Sequence, residues 1–237
     1  RTSCPAITFL GNSTILALRK LFSIVPSEPS CVFRLIFLGM GCGNSAYDSI
    51  LFYHGRRLAN MPKAMILCGS ADETGVTRAM CEQARTELTA RGFDVSLFLL
   101  SEMRIDHCRD CNGCTSQSCY IDDDMSEIYS SFQDSDIMIL SSPIHFSGPS
   151  SLLKTAMDRF QPSWYEKGAH PSISAAMLCG GSDRPNFDIT ISIIRAFSIT
   201  TGMEFKGSLN IPGTDRGVQG IDAKVKEFVE DIISGMV

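Results

Sequence analysis

The amino-acid sequence predicts an α/β fold, a doubly wound sheet of five parallel strands with helices on both faces. Two observations carry that expectation. From residue 61 onward, short apolar runs of strand length alternate with longer helical segments, five of each. No internal repeat or linker interrupts the alternation, so 61–237 reads as a single domain.

In "MPKAMILCGS" the apolar run 64–68 enters a Gly-Ser turn and forms the first strand. Residues 77–91 form a helix closed by Gly92, a residue suited to the left-handed terminating position. The second strand is 94–100, followed by a cysteine-rich loop over 106–120. A helix over 124–133 opens on Asp124 as its cap, with Glu127 completing a capping box three residues on. "DIMILS", 136–141, is a buried strand. Residues 150–160 form a helix, 173–179 a strand and 186–201 a helix ended by Gly202. A strand over 204–211 and a helix over 221–234 complete the alternation.

Residues 1–60 have a different character. They hold six Lys/Arg against two Asp/Glu, although the whole chain is net −5, and they show no sustained helical or alternating period. Met61 is the expected natural start and 1–60 a translated leader, with Gly55-Arg56-Arg57 encoded by a purine-rich ribosome-binding site. A disordered basic extension is the alternative. The longest apolar run, "CVFRLIFLGMGCG", is broken by Arg34 and too short to span a bilayer. The acidic balance argues against nucleic acid as a partner. No clean secretory signal is read, so a soluble protein of the reducing cytoplasm is expected. There, clustered cysteines bind metal more often than they form disulfides.

The sharpest motif is "CRDCNGCTSQSC", in which Cys108, Cys111, Cys114 and Cys119 follow C-x2-C-x2-C-x4-C. Structural zinc usually draws on two C-x2-C pairs a dozen or more residues apart. Three thiols at three-residue steps with a fourth shortly after suit a 4Fe–4S cluster, with Asn112 and Gly113 in a tight turn. A structural Cys4 zinc site and a free-thiol redox loop are the other readings, and His107 reads as a neighbour. The triplet Asp122-Asp123-Asp124 could attract Mg²⁺, but helix capping explains it more simply.

Ligands of such sheets sit beyond the carboxyl ends of the strands. The loops 69–77, 141–148 and 179–182 gather there, and the cysteine loop projects from the same edge. The first loop brings Gly69, hydroxyls on Ser70, Thr74 and Thr77, Gly75 and a helix start, a set suited to a phosphate. It matches neither a Walker loop nor a dinucleotide fingerprint. A plain turn capped by Thr77 is the alternative.

"GS…G.T" after the first strand, "CxxCxxCxxxxCYIDDDM" and "SSPIHF…LLKTAMDRF" together resemble the iron–sulfur flavoprotein branch of the flavodoxin-like, NADPH-dependent FMN reductase family. The resemblance covers most of 61–237 and none of 1–60. It implies a flavodoxin-like sheet with the cysteine loop as an insertion. It also implies FMN, its phosphate held by Ser70, Thr74, Gly75 and Thr77. Asp72 stands where relatives carry Arg, and Glu73 and Val76 depart too; two carboxylates repel a phosphate unless they point outward. Pro143, Ile144, His145, Phe146 and Gly148 would wrap the flavin ring. His145, where relatives have Tyr, would stack on the ring or pass it a proton near neutral pH, or is a surface histidine. Gly180 and Gly181 would let the backbone approach the ring's other edge, with Cys179 as packing. Lys154, Asp158 and Arg159 read as helix-surface or subunit-contact residues.

The function expected is an FMN-dependent oxidoreductase that moves electrons between a ferredoxin-like carrier or NAD(P)H and a separate acceptor. It would work through FMN and a 4Fe–4S cluster, as a homodimer or larger homo-oligomer. An NAD(P)H-dependent FMN or quinone reductase without the cluster is the second reading. A non-enzymatic flavodoxin-like carrier is the third.

Overall fold

The computed structural model describes residues 61–116, 119–165 and 168–234. The expectations for 1–60 lie outside these residues. The chain runs β1 (Lys63–Cys68), α1 (Val76–Ala90), β2 (Asp94–Leu99), α2 (Met125–Asp134), β3 (Ile137–His145) and β4 (Gly148–Pro149). It continues through α3 (Ser151–Asp158), α4 (Gln161–Tyr165), β5 (Ile173–Cys179), α5 (Asp188–Thr201), β6 (Glu204–Ile211) and α6 (Ile221–Ser234). Five strands form a parallel sheet in the order β2-β1-β3-β5-β6, the expected doubly wound arrangement. The winding reverses between β1 and β3.

The strand sequences follow from this placement. The inner strand β5 is buried at all seven positions and the inner strand β1 at five of six, so their near-continuous apolar runs meet helices on both faces. The edge strands β2 and β6 expose alternate residues in their first halves. One core joins the sheet to α1 and α6 through Met80, Ala84, Leu88, Val225 and Val229. The other joins it to α2, α3 and α5, where Phe160 stacks edge-on against Tyr129, Phe132 and Phe197. Gly92 closes α1 as expected: its N–H bonds Thr89 O, and Phe93 N–H bonds Leu88 O, a Schellman pair. Gly202 ends α5 at φ 93°.

Three local expectations change. The 141–148 segment is not an open loop: β3 runs on to His145 and pairs antiparallel with β4. Phe146 and Ser147 make the tip with φ of 52° and 64°. Two left-handed residues between paired strands have the backbone of a type I′ hairpin, which usually takes Asn-Gly. Ser147→Gly is expected to stabilise the fold by about 1 kcal/mol in urea denaturation, because glycine carries no left-handed penalty. An unchanged midpoint would show the tip to be unstrained.

The predicted helix 150–160 is divided. Ser150 caps α3 by accepting the Leu153 N–H, α3 ends at Asp158, and α4 follows with Pro162 in its first turn. At α2, Asp124 occupies the cap position but its side chain caps nothing. Its carboxylate accepts the Arg104 N–H at 2.6 Å, and Asp123 accepts the N–H of Met125 instead.

Candidate functional site

The site is built at the carboxyl edge, where β1, β3 and β5 end in register: Cys68 opposite Ser141, and Pro143 opposite Cys179. Gly69 leaves β1 pressed against β3 and α3. A Cβ there would lie 2.8 Å from Leu153 Cβ and 2.9 Å from Ser150 Oγ, so a side chain does not fit. The Gly69 N–H bonds Ser141 O, and Ser150 Oγ donates to Gly69 O at 2.6 Å, stapling the loop to the start of α3. Ser142 Oγ accepts the Ser150 N–H and donates to Pro143 O. These contacts fix the first two loops on either side of the switch point, where such sheets place ligands.

Within the first loop, Ser70 Oγ accepts the Asp72 N–H and is buried. Asp72 Oδ1 accepts both the N–H and the hydroxyl of Thr74, at 2.9 and 3.1 Å. The carboxylate therefore turns into its own loop and engages two donors suited to a phosphate. The helix α1 starts at Val76 with Gly75 as its cap and no side-chain capping bond. Glycine supplies no capping oxygen, which suits this helix end to an anion. Thr77 is buried with its hydroxyl 2.9 Å from Cys179 Sγ, tying the first loop to the third. Burial pushes the Cys179 thiol up, in keeping with a packing role.

The second loop is the β3–β4 hairpin, with Pro143, Ile144 and Gly148 half-buried, and with His145 at the end of β3 and Phe146 in the tip both exposed. Thr190 anchors it by donating to Ser147 O. In the third loop the space above Gly180 is filled by Pro185, and that above Gly181 by the Asp215 carboxylate. Thr214 and Asp215 N–H groups bond the carbonyls of those glycines. The paired glycines thus already have a purpose within the chain.

The cysteine loop forms a second feature. Cys108, Cys111, Cys114 and Cys119 line one recess together with Ile121, Asp158, Arg159 and Tyr165. Asp110 and Asn112 turn the chain with φ of 46° and 58°, and a 3-10 turn follows over Gly113–Ser116. Tyr120 lies over Gly113, leaving no room for a Cβ. Hydrogen bonds from Tyr120 and from the Gly113 backbone lower the Cys111 thiol. Burial, and then the neighbouring thiols Cys119, Cys108 and Cys111, raise the Cys114 thiol. Among the described residues, no three His, Cys, Asp or Glu side chains converge on a single metal position.

The neck of this loop is clasped by the aspartate triplet. Asp124 and Arg104 exchange backbone and side-chain bonds, and Asp122 O accepts from the Arg104 guanidinium. Asp123 accepts the Asp106 N–H and pairs with Arg159 through both guanidinium ends, at 2.5 and 3.1 Å. Arg159 also donates to Asp106 O at 2.7 Å. The expectation that Arg159 lies on the helix surface is therefore corrected: it is 2% exposed. It stands at the carboxyl end of α3 next to the core residue Phe160, and its charge is held inside by Asp123. Lys154 and Asp158 do form a part-exposed i,i+4 pair.

Arg159 Nε is buried and has no hydrogen-bond partner among the described residues. Such an orphaned donor costs about 1–3 kcal/mol unless an acceptor reaches it. An acceptor brought into the recess by a thiolate-held group would meet that need. Soft sulfur donors, the shared recess and the orphaned N–H all fit an iron–sulfur cluster. The spacing motif pointed to the four thiols but not to Arg159. An arginine set beside the apolar Met157 and Phe160, in a chain that also carries an aspartate triplet, was the available signal.

The strand order and the parallel pairing are those of a flavodoxin-like fold. The chain belongs to the NADPH-dependent FMN reductase family, whose model matches residues 62–214. Within it, the chain is similar to iron-sulfur flavoproteins. One from Methanocaldococcus jannaschii is 28% identical over 67% of this chain and 82% of its own length. Another, from Methanosarcina thermophila, is 30% identical over 48% of this chain and 60% of its own. Among solved structures, an NAD(P)H:quinone oxidoreductase from Methanothermobacter marburgensis superposes with TM-score 0.62 at 12% identity, covering 73% of this chain and 96% of that one. An FMN-dependent NADH-azoreductase from Bacillus anthracis, in complex with FMN, superposes with TM-score 0.54 at 15% identity, covering 74% and 99%. These likenesses share the fold. Among the described residues, no helix is long and apolar enough to cross a membrane.

Proposed function

We propose that this FMN-dependent oxidoreductase carries a 4Fe–4S cluster on Cys108, Cys111, Cys114 and Cys119, and passes electrons between NAD(P)H or a ferredoxin-like carrier and a separate acceptor. The observation that carries the reading is the shared recess of four thiols, clasped at its neck by Asp123 and Arg159. The names of the curated relatives support it. When bound, FMN supplies both hydride and single-electron chemistry, and the cluster supplies single-electron storage.

In this reading Ser70, Thr74, Gly75 and Thr77 hold the FMN phosphate at the start of α1. The hairpin residues Pro143, Ile144, His145, Phe146 and Gly148 border the ring, with the exposed His145 and Phe146 placed to cover one face. Gly180 and Gly181 border the opposite side. A homodimer or larger homo-oligomer belongs to the same proposal, and the exposed Trp164 and Tyr165 on α4 give it an apolar contact. Anaerobic mixing with NADPH, and separately with reduced ferredoxin, tests electron entry. Bleaching of the bound flavin by either donor is expected; inertness to both contradicts the proposal.

Asp72 gives a second test. Its carboxylate occupies both Thr74 donors and repels a phosphate dianion. Asp72→Asn is expected to tighten FMN binding about three- to tenfold, the scale of one unit charge removed near solvent. Riboflavin, which lacks the phosphate, should bind unchanged. Equal gains for both flavins in a fluorescence titration would place Asp72 away from the phosphate.

A further inference from the structure

We infer that Arg159, anchored by Asp123, raises the reduction potential of the group held by Cys108, Cys111, Cys114 and Cys119. It does so by donating its Nε–H to that group and presenting its charge to it. The inference rests on the 4Fe–4S reading above.

The geometry assigns each guanidinium nitrogen. Nη1 donates to Asp123 Oδ2 and Asp106 O, and Nη2 donates to Asp123 Oδ1. Only Nε is left, buried and without an acceptor among the described residues. Arg159 lines the thiol recess, whereas Asp123 does not, so the ion pair turns its positive end toward the sulfurs. Both side chains are shielded from water, at 1% and 2% exposure, so the field of the pair is screened much less than at the surface. Reduction adds one electron to the bound group and neither makes nor breaks a bond. A neighbouring cation and a hydrogen bond to sulfur both favour the reduced form.

The two ends of the pair make the test directional. Anaerobic wild type, Arg159→Met, Arg159→Lys and Asp123→Asn are titrated with dithionite and followed by EPR, with iron and acid-labile sulfide measured in each. Arg159→Met is expected to shift the potential downward and Asp123→Asn upward. Arg159→Lys, which keeps the charge but lacks Nε, should shift it downward by less. A purely structural role would lower iron content in all three without this split in sign.

Potentials that stay together, or move in one direction, overturn the inference while leaving the cluster in place. A wild type without iron and sulfide overturns the cluster reading itself. Should the substitutions prevent loading, pulsed EPR on reduced wild type labelled with ¹⁵N at arginine Nε decides. A resolved coupling is expected, and its absence contradicts the inference.

Discussion

Cys111→Ser is expected to lose most of its iron and acid-labile sulfide, falling from about four irons per chain to below one, while FMN remains bound. Cys111 is the exposed member of the quartet, and its thiol is lowered by Tyr120 and the Gly113 backbone, which favours the thiolate that iron requires. A serine hydroxyl fits the same space but does not ionise near neutral pH. The loops proposed to hold the flavin follow β1, β3 and β5, and the cysteine loop follows β2. The two contents should therefore separate. An exposed substitution away from the core usually changes stability by about 0.5 kcal/mol or less, so loss of iron would not reflect unfolding. Cys81→Ala, on the buried face of α1, is the control that should keep its iron. Full iron in Cys111→Ser would remove this residue from the ligand set.

Asp123→Ala carries the largest expected loss of stability. It leaves the Arg159 charge buried without its counter-ion and strips an acceptor from the N–H groups of Asp106 and Met125. Breaking one side of a buried pair costs about 3–5 kcal/mol, or about 10 °C in Tm for a domain of this size. The effect should depend on pH. Burial raises the Asp123 carboxyl, but Arg159 and the two backbone N–H groups outweigh it and hold it below the usual range. The folded state therefore binds this proton less readily than the unfolded chain. The stabilisation is complete above the unfolded value, about 4. It fades as pH falls through the lowered folded value, so the Tm gap between wild type and variant should narrow in acid. A gap that stays constant from neutral pH down to about 3 would show that the charge contributes nothing.

Much of this was legible in the chain. Apolar runs such as "DIMILS" became central strands because a parallel sheet covered on both faces needs no alternation. Gly92 and Gly202 closed their helices because each adopts the left-handed terminal position. The cysteine spacing led to one recess because three-residue steps keep thiols on one tight turn. The unread parts depend on contacts far apart in sequence. Phe146-Ser147 lacks hairpin chemistry, and only pairing between β3 and β4 reveals the turn. Asp124 looked like a cap until 104–106 came alongside and took its carboxylate. Arg159 looked like a surface residue because its partner stands 36 positions away. Asp72 read as a charge that would repel a phosphate unless it pointed outward, and the bend of its own loop turns it onto Thr74.

The most direct measurement is the iron, acid-labile sulfide and FMN content per chain of protein purified without oxygen. About four irons, four sulfides and one FMN are expected, with the broad visible absorbance of a brown protein. A yellow preparation holding FMN but neither iron nor sulfide would contradict the cluster, and a colourless one would contradict both cofactors.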